Sequence, residues 1–221
     1  MKQRLVLLYF RKDDPYHHNC AIEIDAIREL GVEHGFAVEA TEDRGVFGSI
    51  STERYLSVIF LNTACDGFSG NERDGLVRYL KSGGGYVGIH AACYALEEWP
   101  WYQKLVGAQF TDHPEIQPAT LKVVDRGHTA MKNLPSSWVH TDEWYNFHDV
   151  SDNLNVLVTV DEQTYTGGTH GSHHPVVWSQ DYEAGRSFYT ALGHPESSFR
   201  EERYLLHIAG GIKYAMGIAG G

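Results

Sequence analysis

Four polar side chains follow apolar runs of this sequence, at the points where predicted strands would end. They are His18, Asn62, His90 and His194. Imidazole titrates near neutral pH and is the commonest metal ligand, so histidines gathered at one edge of a sheet can move protons or bind a divalent ion such as zinc. For either chemistry the central pair is His90 with His194. The histidine-rich segment at residues 170–174 lacks a spacing that would fix a tetrahedral zinc site by itself.

The segment from Asp142 to Phe147 interleaves acids with aromatic rings. In an extended chain alternate side chains share a face, so Glu143 and Tyr145 would point the same way. A carboxylate beside a ring suits sugar binding, because the carboxylate accepts hydroxyls while the ring covers the C–H face of a pyranose. We therefore expect Glu143 to be a further catalytic carboxylate and Tyr145 to contact substrate. An ordinary half-buried strand is the alternative interpretation.

Further residues in the second half of the chain are candidates for the wall of the same pocket. They are His113, Gln117, His174, Trp178 and Glu196. Glu196 follows His194 in a Gly-His-Pro-Glu run. It either orients that imidazole, as the third member of a catalytic triad would, or caps a loop, and the sequence leaves both roles open.

The elements that must position these residues alternate in the first half of the chain. Strands are predicted there at residues 5–10, 36–40, 56–61 and 86–89. Helical spacing between these runs predicts helices that end at glycines, and this order indicates a mainly parallel sheet covered on both faces. In such sheets ligands bind beyond the carboxyl ends of the strands. The later residues are predicted to be mostly extended before a closing helix at residues 201–216.

Length, charge and cysteine usage limit the classes of function. At 221 residues the chain is long enough for one core, and we interpret it as a single domain spanning residues 1–221. A formal net charge of −11 argues against a nucleic-acid partner. The N-terminal apolar run is too short for a secretion signal or a membrane span. Three widely spaced cysteines favour the reducing cytoplasm.

The glycine-rich run that ends at His90 resembles a known family. Enzymes with such a strand-to-turn elbow commonly carry Ser or Cys at its tip. The chain resembles the ThuA-like family of trehalose utilisation, in the class I glutamine amidotransferase-like superfamily. The motifs that carry the resemblance are Gly84-Gly-Tyr-Val-Gly-Ile-His-Ala-Ala, Trp101-Tyr with Leu105-Val-Gly-Ala and Phe110, His113-Pro-x-x-Gln117, Asp142-Glu-Trp-Tyr-Asn-Phe147, His174-Pro-x-x-Trp178 and Tyr189-Thr-x-Leu-Gly-His194.

The resemblance implies a flavodoxin-like three-layer α/β sandwich with a mainly parallel central sheet. Amidotransferases of this superfamily carry a catalytic Cys at the elbow, where this chain has His90. Imidazole replaces a thiolate poorly in acyl transfer, so glutamine hydrolysis is not expected. Cys93 is expected to pack in the core. By register with the family's His-x-Ser pattern, His18 is expected to point into the site.

Two functional hypotheses follow. The first is an enzyme of carbohydrate catabolism that acts on a sugar or keto-sugar, of the 3-keto-glycoside type, by isomerisation or hydrolysis. His90 and His194 would be its acid–base pair or metal ligands, with Glu143 beside them. The second is a non-catalytic sugar-binding or scaffold protein that kept the pocket. In both, the partner is a small carbohydrate, no membrane is involved, and exposed aromatic residues would allow a homodimer.

Overall fold

The structure is a computed structural model that describes residues 4–12, 20–95 and 98–218. The α-helices of this part of the chain are α1 (Cys20–His34), α2 (Gly70–Lys81), α3 (Pro100–Val106) and α4 (Glu202–Ala215). The strands are β1 (Leu5–Tyr9), β2 (Ala37–Thr41), β3 (Ser57–Leu61), β4 (Gly85–Ile89), β5 (Gln109–Asp112), β6 (Gln117–Val123), β7 (Ser137–Asp142), β8 (Asn146–His148), β9 (Asn155–Asp161), β10 (His174–Tyr182) and β11 (Gly185–Thr190).

Nine of these strands form one sheet in the order β2-β1-β3-β4-β11-β10-β9-β6-β7. The five strands from β2 to β11 pair in parallel, and the remaining strands extend the sheet in antiparallel fashion. Strands β3 and β4 are buried along their whole length, which explains their continuous apolar sequence. The predicted α/β fold, with its parallel strands in the first half of the chain, is confirmed.

Helices cover both faces of the sheet. Tyr102 of α3 packs against the rings of Phe60 and Tyr86 on one face. On the other face α4 approaches Phe188 so closely that a Cβ at Gly211 would lie 2.4 Å from the ring. Phe188 and Phe60 pair with consecutive residues of β4, and consecutive positions of a sheet face opposite sides, so these two side chains point to opposite faces. None of the described helices combines the length and apolar character needed to cross a membrane.

Neighbouring parallel strands bring the two central histidines together. Strands β4 and β11 pair with Ile89 opposite Thr190, so the residues that follow both strands begin level at the same edge of the sheet. The segment between β7 and β8 passes over this edge. The sequence did not predict β5, β7 or β8 as separate strands, and they supply the outer wall of the site.

Candidate active site

His90 lies at a sharp bend between β4 and a 3₁₀ turn over His90–Cys93. Its backbone φ of 48° is in the left-handed region, which residues other than glycine rarely adopt. The following Ala91 and Ala92 are small and buried, which lets the chain turn without a clash. The predicted elbow is therefore present, with imidazole at its tip.

The orientation of His90 fixes which nitrogen faces the site. Its Nδ1 lies 2.7 Å from the carbonyl oxygen of Ala191, which can only accept, so Nδ1 carries the proton and donates. In the neutral ring Nε2 then bears a lone pair. The Tyr145 hydroxyl lies 2.7 Å from Nε2; it donates to the neutral ring and accepts from the protonated ring.

Two further groups lie within reach of Nε2 of His90. Nδ1 of His194 is 3.2 Å away, and Oε2 of Glu143 is also 3.2 Å away. Oε2 of Glu143 is 3.4 Å from Nδ1 of His194. His90 and His194 thus face each other across the ends of β4 and β11, as the sequence predicts, and Glu143 joins them.

A cavity of about 210 Å³ opens in front of these groups. Its polar walls are His113, Glu143, Tyr145 and His194, and its apolar walls are Ala91, Tyr94 and Phe110. His90 is fully buried and lies behind Tyr145, Glu143 and His194 rather than on the cavity wall. The prediction that His90 meets substrate directly therefore needs correction, because its Nε2 reaches the cavity only through these three neighbours.

Burial and charge set the protonation of the two groups that flank His90. Burial alone raises the pKa of Glu143, but the hydrogen bond with His90 and the charges of the surrounding histidines outweigh it, so this pKa lies below its usual value. Burial and the charge of His90 lower the pKa of His194. At neutral pH we therefore expect Glu143 to be a carboxylate and His194 to be uncharged.

His113 stands at the mouth of the cavity. Its side chain is 41% exposed, and its Nδ1 lies 3.1 Å from Oε1 of Glu143. The two oxygens of Glu143 therefore face different histidines, His113 on the solvent side and His90 on the buried side. His113 thus lies in the wall of the cavity, where the sequence analysis expects it.

Two predicted pocket residues from β6 and β10 lie away from the cavity. Trp178 is fully buried, and its Nε1 donates to the carbonyl of Val106, 2.7 Å away, so it packs in the core. The side-chain amide of Gln117 is hydrogen-bonded to the backbone of Thr166: it donates to the carbonyl and accepts from the N–H. These placements correct the expectation that both side chains contact substrate.

His174 acts one layer behind the cavity. It is fully buried, and its Nε2 lies 2.8 Å from the carbonyl oxygen of Tyr145. Its Nδ1 lies 2.8 Å from Oε1 of Glu162. His174 therefore fixes the backbone that carries the Tyr145 ring instead of lining the pocket as predicted.

The remaining candidates lie at the rim or beneath the site. Asn62 is buried, and its Nδ2 donates to Glu23 at 3.0 Å and approaches the carbonyl of Gly193 at 3.5 Å. Glu196 is exposed at the start of a 3₁₀ turn, whereas the carboxylate beside His194 is Glu143. Of its two open roles, the triad-like one is not supported. His18 lies outside the described residues.

Aromatic wall residues and a metal-binding arrangement complete the site. Tyr94 and Phe110 were not predicted as wall residues, although Phe110 lies in a motif shared with the family, and its ring centroid is 4.5 Å from that of Tyr145. One ligand atom each from His90, Glu143 and His194 lie within 4.8 Å of one another, close enough to hold a metal ion. A histidine that binds a metal through Nε2 usually donates a hydrogen bond from Nδ1 to a backbone carbonyl, which fixes the orientation of its ring.

Cys93 is excluded as a nucleophile by its surroundings. It is buried, and the Tyr189 hydroxyl donates to its Sγ at 3.0 Å. Burial raises the pKa of the thiol to about 12, so the reactive thiolate is not populated at neutral pH. The expectation that this residue packs in the core is confirmed.

The family model for trehalose utilisation, ThuA, matches residues 6–215. The chain belongs to the ThuA family. A search among curated proteins finds no match. This membership places the chain in carbohydrate metabolism, and it covers both halves of the sheet and every site residue described above.

Solved ThuA-like proteins share the fold. One from Bacteroides uniformis is 26% identical, with a TM-score of 0.79 over 96% of this chain and 91% of that one. Another from Parabacteroides merdae is 21% identical, with a TM-score of 0.77 over 97% of this chain and 90% of that one. A GMP synthase subunit from Thermoplasma acidophilum is 11% identical, with a TM-score of 0.62 over 98% and 96% of the two chains. The fold is thus ThuA-like and amidotransferase-like.

Proposed function

We propose that this ThuA-family chain is an enzyme that moves protons on a keto-sugar of the 3-keto-glycoside type. The observation that carries the proposal is the convergence of Glu143, His194 and the Tyr145 hydroxyl on one cavity. Trehalose utilisation supplies the substrate class. The three cysteines form no disulfide among the described residues, which accords with a cytoplasmic enzyme.

The chemistry needs a base and a group that stabilises an oxyanion. A carbon beside a ketone loses its proton to a base, and the electron pair left behind moves onto the ketone oxygen. His194 is the base, because its lowered pKa leaves it uncharged at neutral pH. When Nε2 of His90 carries a proton, the Tyr145 hydroxyl accepts from it and donates its own hydrogen to the developing oxyanion, and Glu143 then stabilises the charged imidazole of His194.

Two outcomes follow from the same first step. If His194 returns the proton to a different carbon or face of the sugar, the product is an isomer. If the carbanion electrons instead expel the glycosidic oxygen from the adjacent carbon, that oxygen takes the proton from His194, and water then adds to the unsaturated ring. The sum of the second route is hydrolysis, so one proton transfer accounts for both reactions.

Hydrolysis by a pair of carboxylates is less well supported by the residues that line the cavity. That mechanism places two carboxyl groups about 5–10 Å apart on either side of the glycosidic bond. Among the described lining residues Glu143 supplies a carboxylate, and none of the others carries a second one. Removal of a proton from the carbon beside a ketone needs one base and does not need a second carboxylate.

The cavity has the size of one sugar ring. Its volume of about 210 Å³ is below the roughly 300–1,000 Å³ of clefts that enclose a drug-sized ligand. One ring of a keto-disaccharide would lie against Phe110 and Tyr94, and the second ring would project past the exposed His113. The rings of Phe110 and Tyr94 meet edge to face at 5.2 Å, which gives the sugar an apolar corner.

A divalent metal ion is a second candidate occupant of the same site. It is favoured by the spacing of His90, Glu143 and His194 within 4.8 Å. Bound there, zinc would polarise the ketone as a Lewis acid. Elemental analysis of protein purified without chelator or affinity-tag metal decides between metal binding and acid–base chemistry by the side chains alone. Near-stoichiometric metal supports the ligand role, and its absence leaves acid–base chemistry to the side chains.

The proposal is tested by following 3-keto-trehalose and trehalose with the native protein by NMR. We expect isomerisation or cleavage of the ketone and no reaction of trehalose, whose C–H bonds are not acidified. Saturable binding of the ketone without turnover would instead establish a sugar-binding protein. Neither binding nor turnover across a panel of 3-keto-glycosides would overturn the proposal.

A further inference from the structure

A buried carboxylate joins the two loops that carry the cavity-facing groups. Asp142 ends β7 and is fully buried. Its Oδ1 accepts the backbone N–H of Glu143 at 2.9 Å and that of His194 at 3.1 Å. Its Oδ2 accepts the N–H of Gly193 at 2.8 Å. One side chain therefore holds the backbone of both Glu143 and His194.

The two loops come from distant parts of the sheet. Glu143 follows β7, at one edge, whereas His194 follows β11, which is separated from β7 by three strands in the sheet order. Residues 143–145 and 193–194 lie outside the strands, so ladder hydrogen bonds do not fix them. The distance between the Glu143 carboxylate and the His194 imidazole thus depends on the Asp142 carboxylate between their backbones.

His140 and Glu201 complete this arrangement. His140 is buried on the same face of β7 as Asp142, and its Nε2 lies 3.0 Å from Oδ2 of Asp142. Its Nδ1 lies 3.0 Å from Oε2 of Glu201, whose side chain is 44% exposed. Both ring nitrogens face carboxylates, which can only accept, so both donate and the ring is an imidazolium.

The charges of the three groups support one another. Burial alone lowers the pKa of His140, but the hydrogen bonds and charges of Asp142 and Glu201 outweigh it and hold this pKa above its usual value. Burial alone raises the pKa of Asp142, and the hydrogen bond and charge of His140 outweigh it in turn, so this pKa lies below its usual value. A carboxylate that accepts several donors is a stronger tether than an amide would be.

We propose that Asp142 is a positioning residue, backed by His140 and Glu201, that sets the distance between Glu143 and His194. The effect of Asp142 on catalysis rests on the proposed function. The tether itself does not, because exchange of the three N–H groups that Asp142 holds can be measured directly. Asp142 touches no substrate, since the cavity wall begins at Glu143.

The test is amide hydrogen exchange of Asp142→Asn beside the native protein. An Asn side chain has one acceptor oxygen and turns an NH₂ group toward N–H donors, so part of the cluster is lost. We expect exchange at Glu143, Gly193 and His194 to accelerate about 10- to 100-fold, as for loss of a hydrogen bond to a charged group. Exchange in the central strands β3 and β4 should change much less.

The matched control is His207→Gln, which alters another buried histidine. His207 is bonded to the hydroxyl of Thr190, and its loss should lower stability without selecting these three amides. If Asp142→Asn does not fold, Glu201→Gln replaces it, because that side chain is exposed and its change weakens the same chain of contacts. We then expect a smaller acceleration at the same three amides.

Kinetics separate this inference from the proposed function. On 3-keto-trehalose, Asp142→Asn should lower kcat about 100-fold with little change in KM, as misplacement of catalytic groups does. Faster amide exchange at only these three residues of Asp142→Asn, together with an inactive native protein, would support the tether and overturn the enzyme proposal. Turnover by the native protein together with uniform exchange in Asp142→Asn, as in the control, would overturn the tether.

Discussion

The Tyr145 hydroxyl lies 2.7 Å from Nε2 of His90, and Tyr145 rather than His90 forms the wall of the cavity. The two rings are also close, with centroids 4.2 Å apart. Because Nδ1 of His90 donates to the carbonyl of Ala191, Nε2 is the nitrogen that is turned toward the phenol. The histidine at the elbow therefore acts on the cavity through its neighbours.

Replacing Tyr145 with Phe removes the hydroxyl and keeps the ring. We expect kcat on a 3-keto-glycoside to fall about 100-fold, because the oxyanion loses its donor. Stability should fall by about 1–2 kcal/mol, since Nε2 of His90 is left without this partner. Steady-state kinetics and urea unfolding measure both effects, and an unchanged kcat would remove Tyr145 from the chemistry.

Glu23 makes stability depend on pH near neutrality. Burial, countered in part by the hydrogen bond from Asn62, raises the pKa of Glu23 to about 8. The folded protein then keeps a proton that the unfolded chain has already lost, so the free energy of unfolding falls as pH rises toward 8. Between pH 6.5 and 8 we expect a loss of about 2 kcal/mol from this group.

The control for this prediction is Glu23→Gln, which keeps an acceptor for Asn62 and cannot ionise. Urea unfolding at pH 6.5 and 8 should show a smaller loss of stability in the variant than in the native protein. Equal losses in the two proteins would mean that Glu23 is ionised throughout this range.

Cys93→Ala should leave activity on sugar substrates within about twofold of native, because burial keeps the thiol un-ionised and away from the chemistry. Its cost is confined to stability, through the lost contact with the Tyr189 hydroxyl. We also expect no release of ammonia from glutamine by either protein. Glutaminase activity abolished by this substitution would contradict the assignment of Cys93 to the core.

Phosphorylated sugars should be poor substrates. No lysine or arginine occurs among the described residues that line the cavity, and Glu143 is a carboxylate there at neutral pH because its pKa is lowered. A phosphate group would meet this charge without a cation to offset it. Competition assays should show at least about tenfold weaker inhibition by a phosphorylated sugar than by its neutral parent. Tighter binding of the phosphorylated sugar would contradict this view of the cavity.

The sequence predicts the parallel half of the fold well, for a physical reason. Strands β1, β3 and β4 are buried on both faces and read as unbroken apolar runs, and the glycines after α2 mark its end. The meeting of His90 with His194 follows from these strands, because residues that end neighbouring parallel strands share one edge. The wall formed by β5 and β8 could not be predicted, since short strands with a shifted register leave little periodic pattern.

The same limit applies to the candidate site. Alternation correctly places Glu143 and Tyr145 on one side, although the strand is interrupted at residues 143–145. The motif shared with the family places Trp178 in the pocket, and burial of the whole side chain corrects this. His140 lies two residues before Asp142 on β7, and that spacing could have indicated a shared face. Its link to Glu201 depends on α4 packing, which sequence spacing does not encode.

Solvent-deuterium exchange tests the central claim most directly. A 3-keto-glycoside is incubated in ²H₂O with native protein, with His194→Gln and with Glu143→Gln, and deuterium at the carbons beside the ketone is followed by NMR. We predict rapid incorporation with the native protein and a loss of about 100- to 10,000-fold in His194→Gln. A smaller loss is expected for Glu143→Gln. No incorporation and no cleavage with folded native protein, or full exchange in His194→Gln, would contradict the account.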